Sequence, residues 1–215
     1  MKTNKINLLL SLFLCSCNSE VTISKTSDSI IQEQTILEKH FSKDNDDNFE
    51  NFFGQDWSMA NAKFGSHSVI LLEDNTHIYG SGYLRTPSLG DLNQISVSLN
   101  VQLTGFNNAP EINKFLGQTC SFNINLLDNE NNVLVENAME FTHTITQDDC
   151  DNKYIAPLKP YTTNPNDSKT LIFKYQGNTT FNKIRINYLN KPHYLVNNKD
   201  NGVNLEIFSI VVKTI

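Results

Sequence analysis

The sequence predicts an all-β fold, an antiparallel β-sandwich that follows a signal peptide and a flexible tether, and three observations carry that expectation. The first is the strict alternation of Ile95-Ser-Val-Ser-Leu-Asn-Val-Gln-Leu103. It sends Ile95, Val97, Leu99, Val101 and Leu103 to one face and Ser96, Ser98, Asn100 and Gln102 to the other, the period of a half-buried strand. The second is a hairpin pattern, in which 121–127 and 133–136 are joined by Asp128-Asn129-Glu130-Asn131-Asn132, residue types that favour turns. The third is a series of further apolar runs at 171–175, 183–188 and 203–212, divided by Asn- and Gly-containing turns such as Gln176-Gly177-Asn178.

At the N-terminus, Lys2 and Lys5 precede the apolar run Leu8 to Leu14, which is too short to span a bilayer as a helix. The following Leu14-Cys15-Ser16-Cys17 resembles a bacterial lipobox: an aliphatic residue, two mostly small ones, then the cysteine that receives lipid. Cys17 fits that pattern better than Cys15, since Ser16 precedes it directly and Leu14 stands three positions before it. The resemblance implies a signal peptide over 1–16, an exported protein, and a lipid anchor on Cys17 in the outer membrane or at the cell surface. Each buried methylene contributes about 0.8 kcal/mol, so several acyl chains make a stable anchor. A plain secretory signal, or a chance Cys pair in an apolar stretch, is the alternative.

Residues 17–48 read as a polar tether, rich in Ser, Thr, Asp, Asn and Lys. Ile30, Leu37 and Phe41 within it share one face of a notional short helix, which is marginal in water without packing. Asp44, Asp46 and Asn48 have the alternate spacing of a calcium loop, but Phe49 stands where the sharp turn demands Gly and Gln55 where the bidentate Glu belongs. The run is therefore a solvated charge cluster. One domain over 49–215 is the economical reading, with no internal repeat to divide it. In its last strand Val203, Leu205 and Ile207 alternate, then Phe208, Ile210 and Val212 continue in the opposite phase, which calls for a bulge or for two covered faces.

Composition narrows the functional classes. The chain has 215 residues, 39% hydrophobic and 19% charged, with a formal net charge of −6. Loss of the first sixteen residues removes Lys2 and Lys5 and no acid, which takes the charge to −8. An acidic surface without a Lys/Arg cluster disfavours nucleic acid and anionic headgroups. Asn is abundant throughout, and coding bias is its first explanation. Cys120 and Cys150 are the pair left beyond the signal region, and an even pair in an exported protein reads as a disulfide. Two unpaired thiols are the alternative.

The order Asn48-Phe49-Glu50-Asn51, Trp57, then Gly82-Tyr83-Leu84-Arg85-Thr86-Pro87 before a long alternating strand, with an apolar strand at the end, resembles jelly-roll domains of the galactose-binding-like group. That group includes many carbohydrate-binding modules. The resemblance implies a non-catalytic binding domain and a structural calcium near the first and last strands, for which Glu50 and Glu206 are the nearest acids. No other cofactor is required by it. Glu206 reads first as an exposed strand residue, ahead of a calcium ligand.

Signatures of catalysis are missing from the sequence: no Gly-x-Ser-x-Gly elbow, no His-Glu-x-x-His, no Gly-rich phosphate loop. His40, His67, His77, His143 and His193 are dispersed. The remaining clue is aromatic, because Tyr and Trp faces stack on sugar rings while Asn, Asp and Arg bond to hydroxyls. Trp57, Tyr79, Tyr83, Arg85, Tyr154 and Tyr161 are the ligand-binding candidates, with Tyr194 a further aromatic near a turn. Core packing is the competing role for the single Trp. The leading expectation is a surface lipoprotein that is not an enzyme and binds glycan or another extracellular ligand. A structural or adhesive lipoprotein recognising an envelope or extracellular protein is the alternative, and a glycoside hydrolase with dispersed carboxylates comes third.

Overall fold

A computed structural model of the chain describes residues 33–41, 55–72, 82–104, 113–147, 168–190, 193–196, 199–202 and 204–215. The strands in chain order are β1 (Thr35–His40), β2 (Ser58–Ala60), β3 (Ala62–Phe64), β4 (Val69–Leu71), β5 (Tyr83–Arg85), β6 (Leu92–Thr104), β7 (Thr119–Leu127), β8 (Val133–Thr144), β9 (Lys169–Phe181), β10 (Lys183–Asn190), β11 (His193–Val196), β12 (Lys199–Gly202) and β13 (Asn204–Lys213). A short 3-10 turn covers Asn113–Phe115. Two antiparallel sheets pack as a sandwich. The first runs β3-β4-β13-β6-β9 with β1 also on β13; the second runs β2-β5-β10-β7-β8; β11 and β12 form a separate ribbon.

Alternation builds the core. Ile95, Val97, Leu99 and Val101 of β6 and Ile207, Ile210 and Val212 of β13 face Phe122, Ile124 and Leu126 of β7 and Ile184, Ile186 and Tyr188 of β10, all buried. Burial of each such side chain contributes roughly 1.5 to 3 kcal/mol. Phe122 of the second sheet meets Phe173 of the first edge-on, with ring centroids 5.9 Å apart. In β13 the register against β6 shifts between Ile207 and Ser209, so the phase change seen in the sequence is a β-bulge.

Two expectations are corrected. Residues 35–41, assigned to the tether and to a notional helix, form an edge strand: β1 pairs with β13, and Phe41 is buried in the core. Its stability comes from pairing with residues 209–213, a long-range partner that no local composition signals. Gln176-Gly177-Asn178 is not a turn but lies within β9, where a register shift opposite Leu92 to Gln94 absorbs the extra residues. Gly82, just before β5, is required by close approach, since a Cβ there would collide with the carbonyl oxygens of Leu72 and Asn61.

Candidate functional site

Side chains that point away from the core on the second sheet form two rows. Leu84, Ile186 and Ile124 are mutually in register and buried, so their chain neighbours face outward. One row crosses Ala60, Tyr83, Asn187, Asn123 and Glu140; the next crosses Ser58, Arg85, Arg185 and Asn125. Tyr83 and Arg85, named from sequence, thus stand together on β5. The Arg185 guanidinium lies over the Tyr83 ring, 5.6 Å from its centroid.

Asparagines tie the rows together. Asn187 Nδ2 donates to Asn123 Oδ1 at 2.7 Å, Asn123 Nδ2 donates to Asn137 Oδ1, and the Asn137 backbone N–H donates to Asn125 Oδ1 at 3.0 Å. Asn137 reaches this position because β8 bulges between its pairings with Ile124 and Leu126, and its φ of 50° is one that Asn tolerates. These bonds leave Asn187 Oδ1 and Asn125 Nδ2 at the ends of the chain, neither taken up among the described residues. The result is a fixed array of largely buried amides, with Asn123, Asn125 and Asn187 at 4%, 7% and 9% exposure, beside the half-buried Tyr83, Arg85 and Arg185 side chains.

The remaining sequence-named residues lie elsewhere. Trp57 is 3% exposed and meets Phe41 edge-on, so it is a core residue and offers no face to a ligand. Tyr79, Tyr154, Tyr161, Glu50, Cys17 and Cys150 lie outside the described residues, as does the Tyr194 side chain. Cys120 is a free thiol rather than half of the expected disulfide: it faces the interior from β7, with Sγ 3.9 Å from the Tyr188 hydroxyl. Burial pushes its pKa up to about 12, against a smaller lowering by that hydroxyl.

Glu206 is buried on the outward face of the first sheet, which corrects its reading as an exposed strand residue: Ser68 packs over it from the turn before β4. The Ser68 hydroxyl donates to Glu206 Oε1 at 2.5 Å, and Gly65 leaves them room, since a Cβ there would press on both. Gln102 pairs with Glu206 across β6 and β13, and both of its amide atoms are buried without a hydrogen bond. Beside this cluster a recess of about 230 Å³ opens between the ends of β1 and β4, lined by His40, Phe41, His67, Asn100, Phe208 and Ser209. It brings two dispersed histidines together, yet it is smaller than the roughly 300 to 1,000 Å³ of ordinary small-molecule pockets. The outward face of the second sheet, where Tyr83, Arg85 and Arg185 stay partly exposed, is the stronger candidate.

Arg185, Asn187, Asn123 and Asn125 were not singled out from sequence. Their signal was present in the polar positions of Lys-Ile-Arg-Ile-Asn-Tyr and Phe-Asn-Ile-Asn-Leu, but it becomes a site only through strand register.

These features define a β-sandwich with a polar and aromatic sheet face. No family model matches the sequence, and no curated protein matches it. Among solved structures it is similar to the K3 cleaved adhesin domain of Lys-gingipain from Porphyromonas gingivalis, at 10% identity and a TM-score of 0.43, covering 84% of this chain and 98% of that one. It is also similar to the K1 adhesin domain of the same protein, at 12% identity and a TM-score of 0.37, with 85% and 97% covered. A third is the CBM22-1 and GH10 portion of Clostridium thermocellum xylanase 10B in complex with xylohexaose, at 11% identity and a TM-score of 0.41, covering 83% of this chain and 28% of that one.

Proposed function

We propose that this chain is an exported, lipid-anchored protein whose sandwich domain binds a glycan on the outward face of β2-β5-β10-β7-β8. The observation that carries this reading is the partly exposed Tyr83 ring beside Arg85 and Arg185, with the largely buried asparagine chain Asn187 to Asn123 to Asn137 to Asn125 fixing the sheet face around it. Sugars present hydroxyls at their edges and apolar C–H faces, and an oriented amide row beside an aromatic ring complements both. Orientation fixed before binding spares the ordering cost of side chains at the interface.

Calcium, where bound, would be held at Glu206 with the Gln102 amide oxygen and the Ser68 hydroxyl, oxygen donors of the type that ion takes. Its role there would be to give the buried Gln102 amide oxygen a partner and brace the first sheet. The lipid on Cys17 would hold the domain at the membrane surface.

A glycan array probed with the full chain and with the Tyr83→Ala and Asn187→Ala variants tests the reading. Binding of a defined saccharide that each variant weakens at least tenfold, with unchanged unfolding midpoints, supports it. Binding that ignores both variants, or none across the array, overturns it. Palmitate incorporation lost in Cys17→Ala and kept in Cys15→Ala supports the anchor assignment; the reverse overturns it.

A further inference from the structure

Arg85 of β5 and Arg185 of β10 are direct cross-strand partners on the outward face of the second sheet. Such partners have Cβ atoms about 5 Å apart, and like charges so placed repel. No carboxylate among the described residues offsets the repulsion, since neither guanidinium forms an ion pair there. The Nε of each is buried and has no hydrogen-bond partner. Glu140, the carboxylate of the neighbouring row, stands two strands from Arg185, roughly 10 Å at ordinary strand spacing. Its Oε1 already accepts the Thr142 hydroxyl.

We infer that Arg85 and Arg185 form an anion subsite that seats an oxyanion, a carboxylate or sulfate ester, carried by the bound saccharide. The assignment of the oxyanion to a saccharide rests on the glycan reading; the anion subsite itself does not. A guanidinium presents a planar fork of N–H donors that matches carboxylate and sulfate oxygens, and two forks side by side bring two positive charges to one anion. Ser58 and Asn125 extend the same row on either side, adding a hydroxyl and an amide. The Tyr83 ring under Arg185 supports one guanidinium from the side. General basicity does not explain the pair, because the chain as a whole carries −6.

Isothermal titration of the full chain with inorganic sulfate, pentagalacturonate, a sulfated galactan oligosaccharide and neutral xylohexaose tests the inference, alongside the Arg85→Gln/Arg185→Gln variant. The expected result is that at least one acidic saccharide binds ten times or more tighter than xylohexaose, and that the double variant abolishes this margin. The preferred acidic probe tells carboxylate from sulfate ester. The variant is expected to melt at the same temperature as the parent or above it, since it removes like-charge repulsion. Equal affinity for acidic and neutral saccharides, indifferent to the variant, overturns the subsite and leaves the glycan reading standing. Sulfate binding that the variant abolishes, with no saccharide bound, supports the subsite and overturns the glycan reading. A lower melting temperature of the variant, marking the pair as a structural contact, overturns the subsite.

Discussion

The Trp57 indole meets the Phe41 ring edge-on, with centroids 5.7 Å apart and planes at 77°, and both side chains are buried. The contact fastens the end of β1 to the segment that leads into β2, since Phe41 directly follows His40 and Trp57 directly precedes Ser58. Large-to-small changes at buried aromatics cost about 3 to 5 kcal/mol, so Trp57→Ala is expected to lower unfolding free energy by that amount in urea titration. Iodide is expected to leave Trp57 fluorescence unquenched, and saccharides are expected to leave its emission unshifted. Strong quenching in the folded protein would contradict the core position.

Cys120 supplies a pH-dependent prediction. Its ordinary pKa of 9.0 is raised to about 12 by burial, only partly countered by the Tyr188 hydroxyl. The unfolded chain therefore releases the thiol proton first as pH rises. The stabilisation is fully present below pH 9 and declines as pH climbs toward 12, by about 4 kcal/mol over the window at 1.36 kcal/mol per pKa unit. Cys120→Ala is expected to flatten this part of the stability curve. Thiol counting should find one fewer reactive group in that variant after unfolding and no difference before it. Rapid labelling of Cys120 in the folded chain would show that the thiol is not enclosed.

The hairpin turn between β7 and β8 depends on one carboxylate. Asp128 accepts the Asn132 backbone N–H and side-chain amide, each at 2.8 Å, and the Asn132 side-chain bond leads the lowering of its pKa. Because the folded value is lowered, the contribution holds above the ordinary 3.8 and fades as pH falls through the folded value. Hydrogen exchange at the Asn132 amide is expected to accelerate in that acid window, and Asp128→Ala should reproduce the effect at neutral pH. Asn131 has φ of 75°, so Asn131→Gly should be tolerated, whereas Asn131→Val should cost about 1 to 2 kcal/mol. Equal stability of the two Asn131 variants would show that the turn can relax out of the left-handed region.

Strands with a strong two-residue period were legible in the sequence. Alternation located β6 and β13, the hairpin pattern β7 and an apolar run β10; the phase change at Phe208 left a bulge or two covered faces, and the register shows a bulge. β1 was not legible, because Thr-Ile-Leu-Glu-Lys-His carries a weak pattern and is stabilised by pairing with the far end of the chain. The site was legible only in part for a related reason. Tyr83 and Arg85 stood out locally as an aromatic and a base near a turn, but Arg185 joins them from a position one hundred residues on, through the register of β5 against β10. The asparagines vanished into an Asn-rich composition until hydrogen bonds distinguished Asn123, Asn125 and Asn187 from the rest.

Gln102 offers a test of the calcium proposal. Both of its amide atoms are buried without a hydrogen bond, which costs roughly 1 to 3 kcal/mol per group by mutational measures. In calcium-free buffer Gln102→Leu is therefore expected to raise the unfolding midpoint, because an apolar side chain of similar size removes both of these unsatisfied atoms. With calcium the order should reverse. An ion bound at Glu206 gives the Gln102 oxygen a partner, and binding to the folded state alone adds about 2.7 kcal/mol at one hundred times Kd. Calorimetric scans of both proteins with chelator and with calcium separate the cases. A calcium-dependent rise in the parent that Gln102→Leu abolishes places the ion beside Gln102. A rise unchanged by the variant places it elsewhere, and no rise in either protein removes calcium from this domain.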